Sequence, residues 1–75
     1  MYELKVIGER IKSIRESQGM TRQELCLLSA THYTHLMNIE NGKINPQFKT
    51  VLRILDALGI KLEEILEQSQ RVESE

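Results

Sequence analysis

The side chains best suited to chemistry cluster between Thr21 and Lys43. His32 and His35 are three positions apart, a spacing that can place two metal ligands on one helical face, with Cys26 as a third candidate. The same cysteine is poorly placed as a nucleophile. It sits mid-helix among Leu25, Leu27 and Leu28, where loss of water raises a thiol pKa. The chain has no Gly-rich phosphate loop, no G-x-S-x-G elbow and no paired carboxylates with a supporting base. Glu63, Glu64 and Glu67 read as the solvated face of a helix. Catalysis is therefore not expected. What remains is a set of neutral groups at helical spacing, Tyr33, Thr34, Met37 and Asn38, in a stretch (32–40) without Lys or Arg. Such a set is either an ordinary solvated face or a surface that reads a partner, and the elements presenting it decide between the two.

The chain has 75 residues, enough for one small domain. Hydrophobic residues make up 40% and charged residues 28%, a globular balance. So short a chain must commit most of its apolar side chains to one core, which argues against a deep catalytic cleft. No apolar run approaches the ~20 residues that span a bilayer. No basic-then-apolar leader is visible, and a single cysteine cannot close an internal disulfide, which fits a reducing cytoplasm. One Phe, two Tyr and no Trp make a poor stacking platform for single strands.

Apolar periodicity predicts five helices and no strand. Leu4, Ile7, Ile11 and Ile14 line one face of a first helix over 4–17, ended at Gly19. Thr21 and Glu24 form a T-x-x-E capping box that opens a second helix, with Leu25 and Leu28 on its apolar side. Residues 29–31 make a tight turn, and a third helix over 32–41 buries Leu36 and Ile39 before Gly42 stops it. Asn45 is expected to cap a fourth helix with Pro46 at its first position, where a missing N–H costs nothing. Phe48, Val51, Leu52, Leu55 and Leu58 form its inner stripe, up to Gly59. A last helix over 61–68 carries Leu62, Ile65 and Leu66, and 69–75 is a polar tail. The expected architecture is a compact all-α, five-helix domain over 1–68.

A short capped helix, a three-residue turn and a second short helix over 21–41 form the helix-turn-helix pattern. In that pattern the first helix lies across the DNA backbone, and the second enters the major groove, whose width of ~12 Å admits an α-helix. Several stretches stand in register with it: Ile7-Gly8-Glu9-Arg10-Ile11-Lys12 leading to Gly19-Met20-Thr21, then Ile39-Glu40-Asn41-Gly42-Lys43-Ile44-Asn45-Pro46, then Leu58-Gly59-Ile60 with Leu62-Glu63-Glu64-Ile65-Leu66. Together, over about residues 6–67, they resemble the lambda-repressor/Cro-like (XRE) family. The resemblance implies a lambda-repressor-like DNA-binding fold and a sequence-specific transcriptional regulator of double-stranded DNA, a repressor or autoregulator. It implies no enzyme activity, cofactor, metal or membrane contact, and a cytoplasmic location.

Matched position by position, the resemblance implies roles. Tyr33, Thr34, Met37 and Asn38 would meet base edges, and Arg22, His32, Asn41 and Lys43 would meet phosphates. Arg15 and Glu40 would form an ion pair tying the first helix to the third. Cys26 matches a small residue packed between helices, so it should point inward, away from the histidines. Two positions depart from the pattern. Ala30 stands where the family usually has Gly, at a cost of roughly 1 kcal/mol if φ is positive. Lys61 replaces the usual Ser or Thr cap, which weakens the last helix by ~1 kcal/mol. With no Arg in the recognition helix, the bidentate guanine contact is unavailable. Asn38 can pair with adenine, and Met37 or the Thr34 methyl can pack on thymine, which predicts an operator read mainly at A·T pairs.

One such helix reads few base pairs, so a homodimer on a two-fold operator is expected, with half-sites ~34 Å apart. Leu58, Ile60, Leu62, Ile65 and Leu66 are the candidates for its interface. The rival reading is a protein-interaction module on the same scaffold, of the antitoxin or restriction–modification controller type, which leaves room for a protein partner. The formal net charge of −1 does not argue against DNA. Residues 1–50 hold seven Lys and Arg against five acids, whereas 51–75 hold three against six, so the half carrying the helix-turn-helix is the basic one.

Overall fold

The computed structural model describes residues 4–65, with side chains from Val6 onward. Helix α1 spans Leu4–Ser17, α2 Arg22–Ser29, α3 Tyr33–Glu40 and α4 Phe48–Leu58. Residues 62–65 open a fifth helix, α5, and the described residues include no strand. The fold is the expected all-α one. Helix α1 packs on α3 and α2 on α4, around a core of Ile7, Ile11, Leu25, Leu36, Ile39, Val51, Ile54, Leu55 and Ile65. No helix among the described residues is long and apolar enough to cross a membrane.

The local signals explain where most helices begin and end. Thr21 Oγ1 accepts the Glu24 N–H at 3.1 Å, and the Glu24 carboxylate accepts the Thr21 N–H at 2.8 Å, so the capping box is complete. Ala30 closes α2 in the left-handed region at φ 54° and ψ 44°, where its Cβ is strained. Lys61 supplies no side-chain cap, yet its backbone N–H donates to Glu64 Oε2 at 3.2 Å, so half of a capping box survives. Gly8 has a role that periodicity does not show. A Cβ there would overlap the carbonyl oxygen of Ile39, so α1 and α3 touch backbone to side-chain-free backbone.

Several expectations need correction. Helix α4 begins at Phe48 with Gln47 as its N-cap (φ −67°, ψ 146°), so Asn45 is not the cap and Pro46 is not the first helical residue. Pro46 is buried, and the connection from α3 delivers its ring inward before the helix starts. Phe48 and Leu52 are exposed, while Ile54 and Thr50 take inward positions. Two apolar stripes overlap on α4, and the core selects the one through Val51, Ile54, Leu55 and Leu58. On α2 the inward positions are Leu25, Cys26 and Ser29, and Leu28 is 63% exposed. Ser29 is tolerated inside because its hydroxyl donates to the Leu25 carbonyl at 2.7 Å. The turn covers 30–32, one residue later than expected.

The expected interface residues divide in the same way. Leu58 and Ile65 are 5% and 1% exposed, because they close this chain's own core and cannot reach a second copy. Ile60 and Leu62 are half-buried against that core. Leu66 lies outside the described residues, as do the Leu4 side chain, the end of the last helix and the tail.

Candidate nucleic-acid interface

The link between α2 and α3 is held by hydrogen bonds from short side chains. The Ser29 and Thr31 hydroxyl oxygens lie 3.0 Å apart, and Thr31 Oγ1 donates to the Ser29 carbonyl at 3.2 Å. Arg53 of α4 donates from Nε to the same carbonyl at 3.2 Å. The Thr31 N–H reaches back to the Cys26 carbonyl at 3.0 Å. Both hydroxyl residues are buried, so the turn is part of the core and fixes the angle between the two helices.

Helix α3 buries Leu36, Ile39 and Glu40. Tyr33 and Thr34 are exposed, and one turn later Met37 and Asn38 are half-buried. At about 100° per residue these four share one outward arc, opposite the buried side. His32 is the N-cap residue (φ −65°, ψ 145°) and its side chain makes no capping bond. His35 is exposed but lies on another flank of the helix. Cys26 is buried, and burial pushes its thiol above the ordinary range. Among the described residues no three His, Cys, Asp or Glu side chains come together around a metal position.

The exit from α3 is equally defined. The Gly42 N–H donates to the Ile39 carbonyl at 3.1 Å and the Lys43 N–H to the Asn38 carbonyl at 3.0 Å, the paired bonds of a Schellman motif. Gly42 takes φ 71°, which a side chain would strain. Asn41 and Lys43 flank it, both exposed.

Beneath this surface sits a three-residue ion cluster. Arg15 donates from Nε to Glu40 Oε2 at 2.7 Å and from Nη2 to Oε1 at 3.1 Å, while its Nη1 holds the Met20 carbonyl at 2.9 Å. Arg22 donates from Nε to the same Oε1 at 3.0 Å. Its guanidinium carbon lies 5.7 Å from the Tyr33 ring centroid, within cation–π range. Contact with Tyr33, and with Glu40, pushes the Arg22 guanidinium further above its already high range. Sequence reasoning joined Arg15 to Glu40 but assigned Arg22 to phosphate alone. The available signal was that Glu40 is the only acid between Glu24 and Asp56, so nearby cations have few other partners.

Comparison with known proteins adds an independent line. Residues 11–65 match the family model described as "Helix-turn-helix". The chain is 27% identical over 64 residues to the HTH-type transcriptional regulator PuuR of Escherichia coli (strain K12), covering 85% of this chain and 35% of that protein. It is 29% identical over 69 residues to the immunity repressor protein of Bacillus phage phi105, covering 92% of this chain and 48% of the repressor. It is 27% identical over 62 residues to the uncharacterized HTH-type transcriptional regulator y4dJ of Sinorhizobium fredii (strain NBRC 101917 / NGR234), covering 83% and 80%. The chain thus spans less than half the length of the first two of these relatives. No solved structure matches it.

Proposed function

The chain belongs to the XRE-type helix-turn-helix family, and on that premise we propose that it is a transcriptional regulator, a repressor or autoregulator, that binds duplex DNA as a homodimer with α3 in the major groove. The observation that carries the reading is the outward arc of α3. Tyr33, Thr34, Met37 and Asn38 stand together on a helix whose two ends are fixed by buried hydroxyls and by a Schellman motif. These four meet base edges, with Asn38 on adenine and Met37 or the Thr34 methyl on thymine. Arg22 uses Nε on Glu40, which leaves its two terminal nitrogens for a phosphate. His32, Asn41 and Lys43 supply further backbone contacts at either end of the helix. The names of the relatives, a transcriptional regulator and an immunity repressor, support the same reading.

Selection of bound sites from random duplex DNA, followed by a salt titration on the winning site, tests it. Half-sites dominated by A·T at the contacted positions are expected, about one DNA turn apart, ~34 Å. Log affinity should fall linearly with log salt, and Lys43→Ala should reduce the slope by about 1. Half-sites dominated by G·C would overturn the base assignments. No retained DNA even at low salt would favour the protein-interaction module instead.

A further inference from the structure

Helix α4 carries two apolar stripes and the core uses one. The other is Phe48 and Leu52, one turn apart and 53% and 42% exposed. The charges beside them run against the helix's own dipole. Lys49 is in the first turn, where the partly positive N-terminus disfavours a cation, and Asp56 is in the last turn, where free carbonyls disfavour an anion. Both are exposed, and among the described residues neither has an ion-pair partner. Seven positions, two turns or about 10.5 Å, separate them, so they share one face with Leu52 between. Within one chain this arrangement is unfavourable at both ends.

An antiparallel copy of the same helix removes the conflict. A two-fold axis through the middle of α4 sets Lys49 against Asp56 of the second copy, and by symmetry sets Asp56 against the other Lys49. A parallel arrangement would set lysine beside lysine. We propose that this face of α4 is where two copies of the chain meet, with Leu52 at the apolar centre, Phe48 closing each end of the seam, and the two Lys49–Asp56 pairs fixing register. The proposal rests on the homodimer reading and relocates its seam, since Leu58 and Ile65 belong to the chain's own core. The other exposed apolar pair, Leu27 and Leu28, lacks such complementarity, because its neighbour Glu24 is engaged in the capping box.

Sedimentation of the full chain over a concentration series tests the seam, using the wild type, K49E, D56K and the K49E/D56K double variant. The wild type should show a concentration-dependent dimer. Each single reversal places like charges at both symmetry-related contacts and should weaken the dimer about tenfold. The double variant should return to within about threefold of the wild type. Each single change also corrects the helix dipole, so at concentrations where all are monomeric the variants should melt no lower than the wild type. That separates a lost seam from a lost fold. Single variants that dimerise like the wild type, or a double variant that does not recover, overturn this seam and leave the homodimer reading standing. A wild type that is monomeric both free and on its operator overturns the homodimer reading and the seam with it.

Discussion

Replacing Glu40 with glutamine isolates what the ion cluster contributes. Glu40 is 1% exposed and supplies the carboxylate for both Arg15 and Arg22. Glutamine keeps the shape and removes the charge, and its amide N–H₂ then faces an arginine donor where an oxygen had accepted. Breaking a buried pair from one side costs ~3–5 kcal/mol. Arg15 bears nearly all of it, because it is 6% exposed. Arg22 is half-buried and can turn outward, so its loss should not be added, and ~3 kcal/mol is the expected penalty. A 75-residue domain has a total stability of roughly 4–11 kcal/mol at 0.05–0.15 kcal/mol per residue, so the variant loses a quarter or more of it. Urea unfolding should show a lower midpoint with an unchanged m-value, and the melting temperature should drop by ~12–24 °C. The double replacement Arg15→Met, Glu40→Met should recover part of the loss, because it removes both charges. An E40Q variant within ~1 kcal/mol of the wild type would refute the reasoning, and would mean that the Met20 carbonyl and the exposed Glu16 carboxylate, 3.9 Å from Arg15 Nη2, suffice to hold the Arg15 charge.

Three further outcomes are expected. Gly8→Ala should destabilise by ~1–3 kcal/mol in urea unfolding despite alanine's better helix propensity, because the new methyl meets the Ile39 backbone rather than a movable side chain. Ala30→Gly should stabilise by ~0.5 kcal/mol, since relief of left-handed strain exceeds the extra freedom given to the unfolded chain; a lower urea midpoint would contradict this. Cys26 should react with a thiol reagent at pH 8 only as fast as the chain opens, and at once in urea. Its raised pKa adds stability that is full below the ordinary thiol range near ~8.5 and is lost as pH climbs through the folded value, a loss absent in Cys26→Ser.

What was legible in the sequence was what is decided within a few residues. Thr21 with Glu24 and Gly42 after Ile39 act through their own backbone, and each appears in the structure as read, while the left-handed φ at Ala30 is where the family resemblance implied it. What was not legible depended on a distant element. Helix α4 reads as apolar through Phe48, Val51, Leu52 and Leu55 as well as through Val51, Ile54, Leu55 and Leu58, and only the packing of α2 and α1 on one side selects the second. Leu28 fits the apolar pattern of α2 better than Ser29, but the Leu25 carbonyl and Thr31 give the buried serine its hydrogen bonds. Gly8 carries no sign in the sequence that a carbonyl 31 positions on presses against it.

The shared carboxylate also couples stability to the proposed DNA surface in a way that can be separated experimentally. Helix α3 has no Lys or Arg, so in the proposed complex the attraction for phosphate would come from its frame, chiefly Arg22 and Lys43. These two are held differently. Lys43 is exposed beyond a backbone motif, and its side chain takes no part in the core. Arg22 is anchored at Nε by the buried Glu40 and lies over Tyr33, so the group proposed to meet phosphate and the first residue of the proposed reading face share one support. Lys43→Ala should therefore weaken binding alike on all sequences and leave the urea midpoint unchanged. Glu40→Gln, assayed at a temperature where it remains folded, should weaken binding and also relax base preference at the position Tyr33 reads, because freeing Arg22 frees the ring beneath it. Unchanged preference at that position, with only a uniform loss of affinity, would show that Tyr33 is placed by α3 alone.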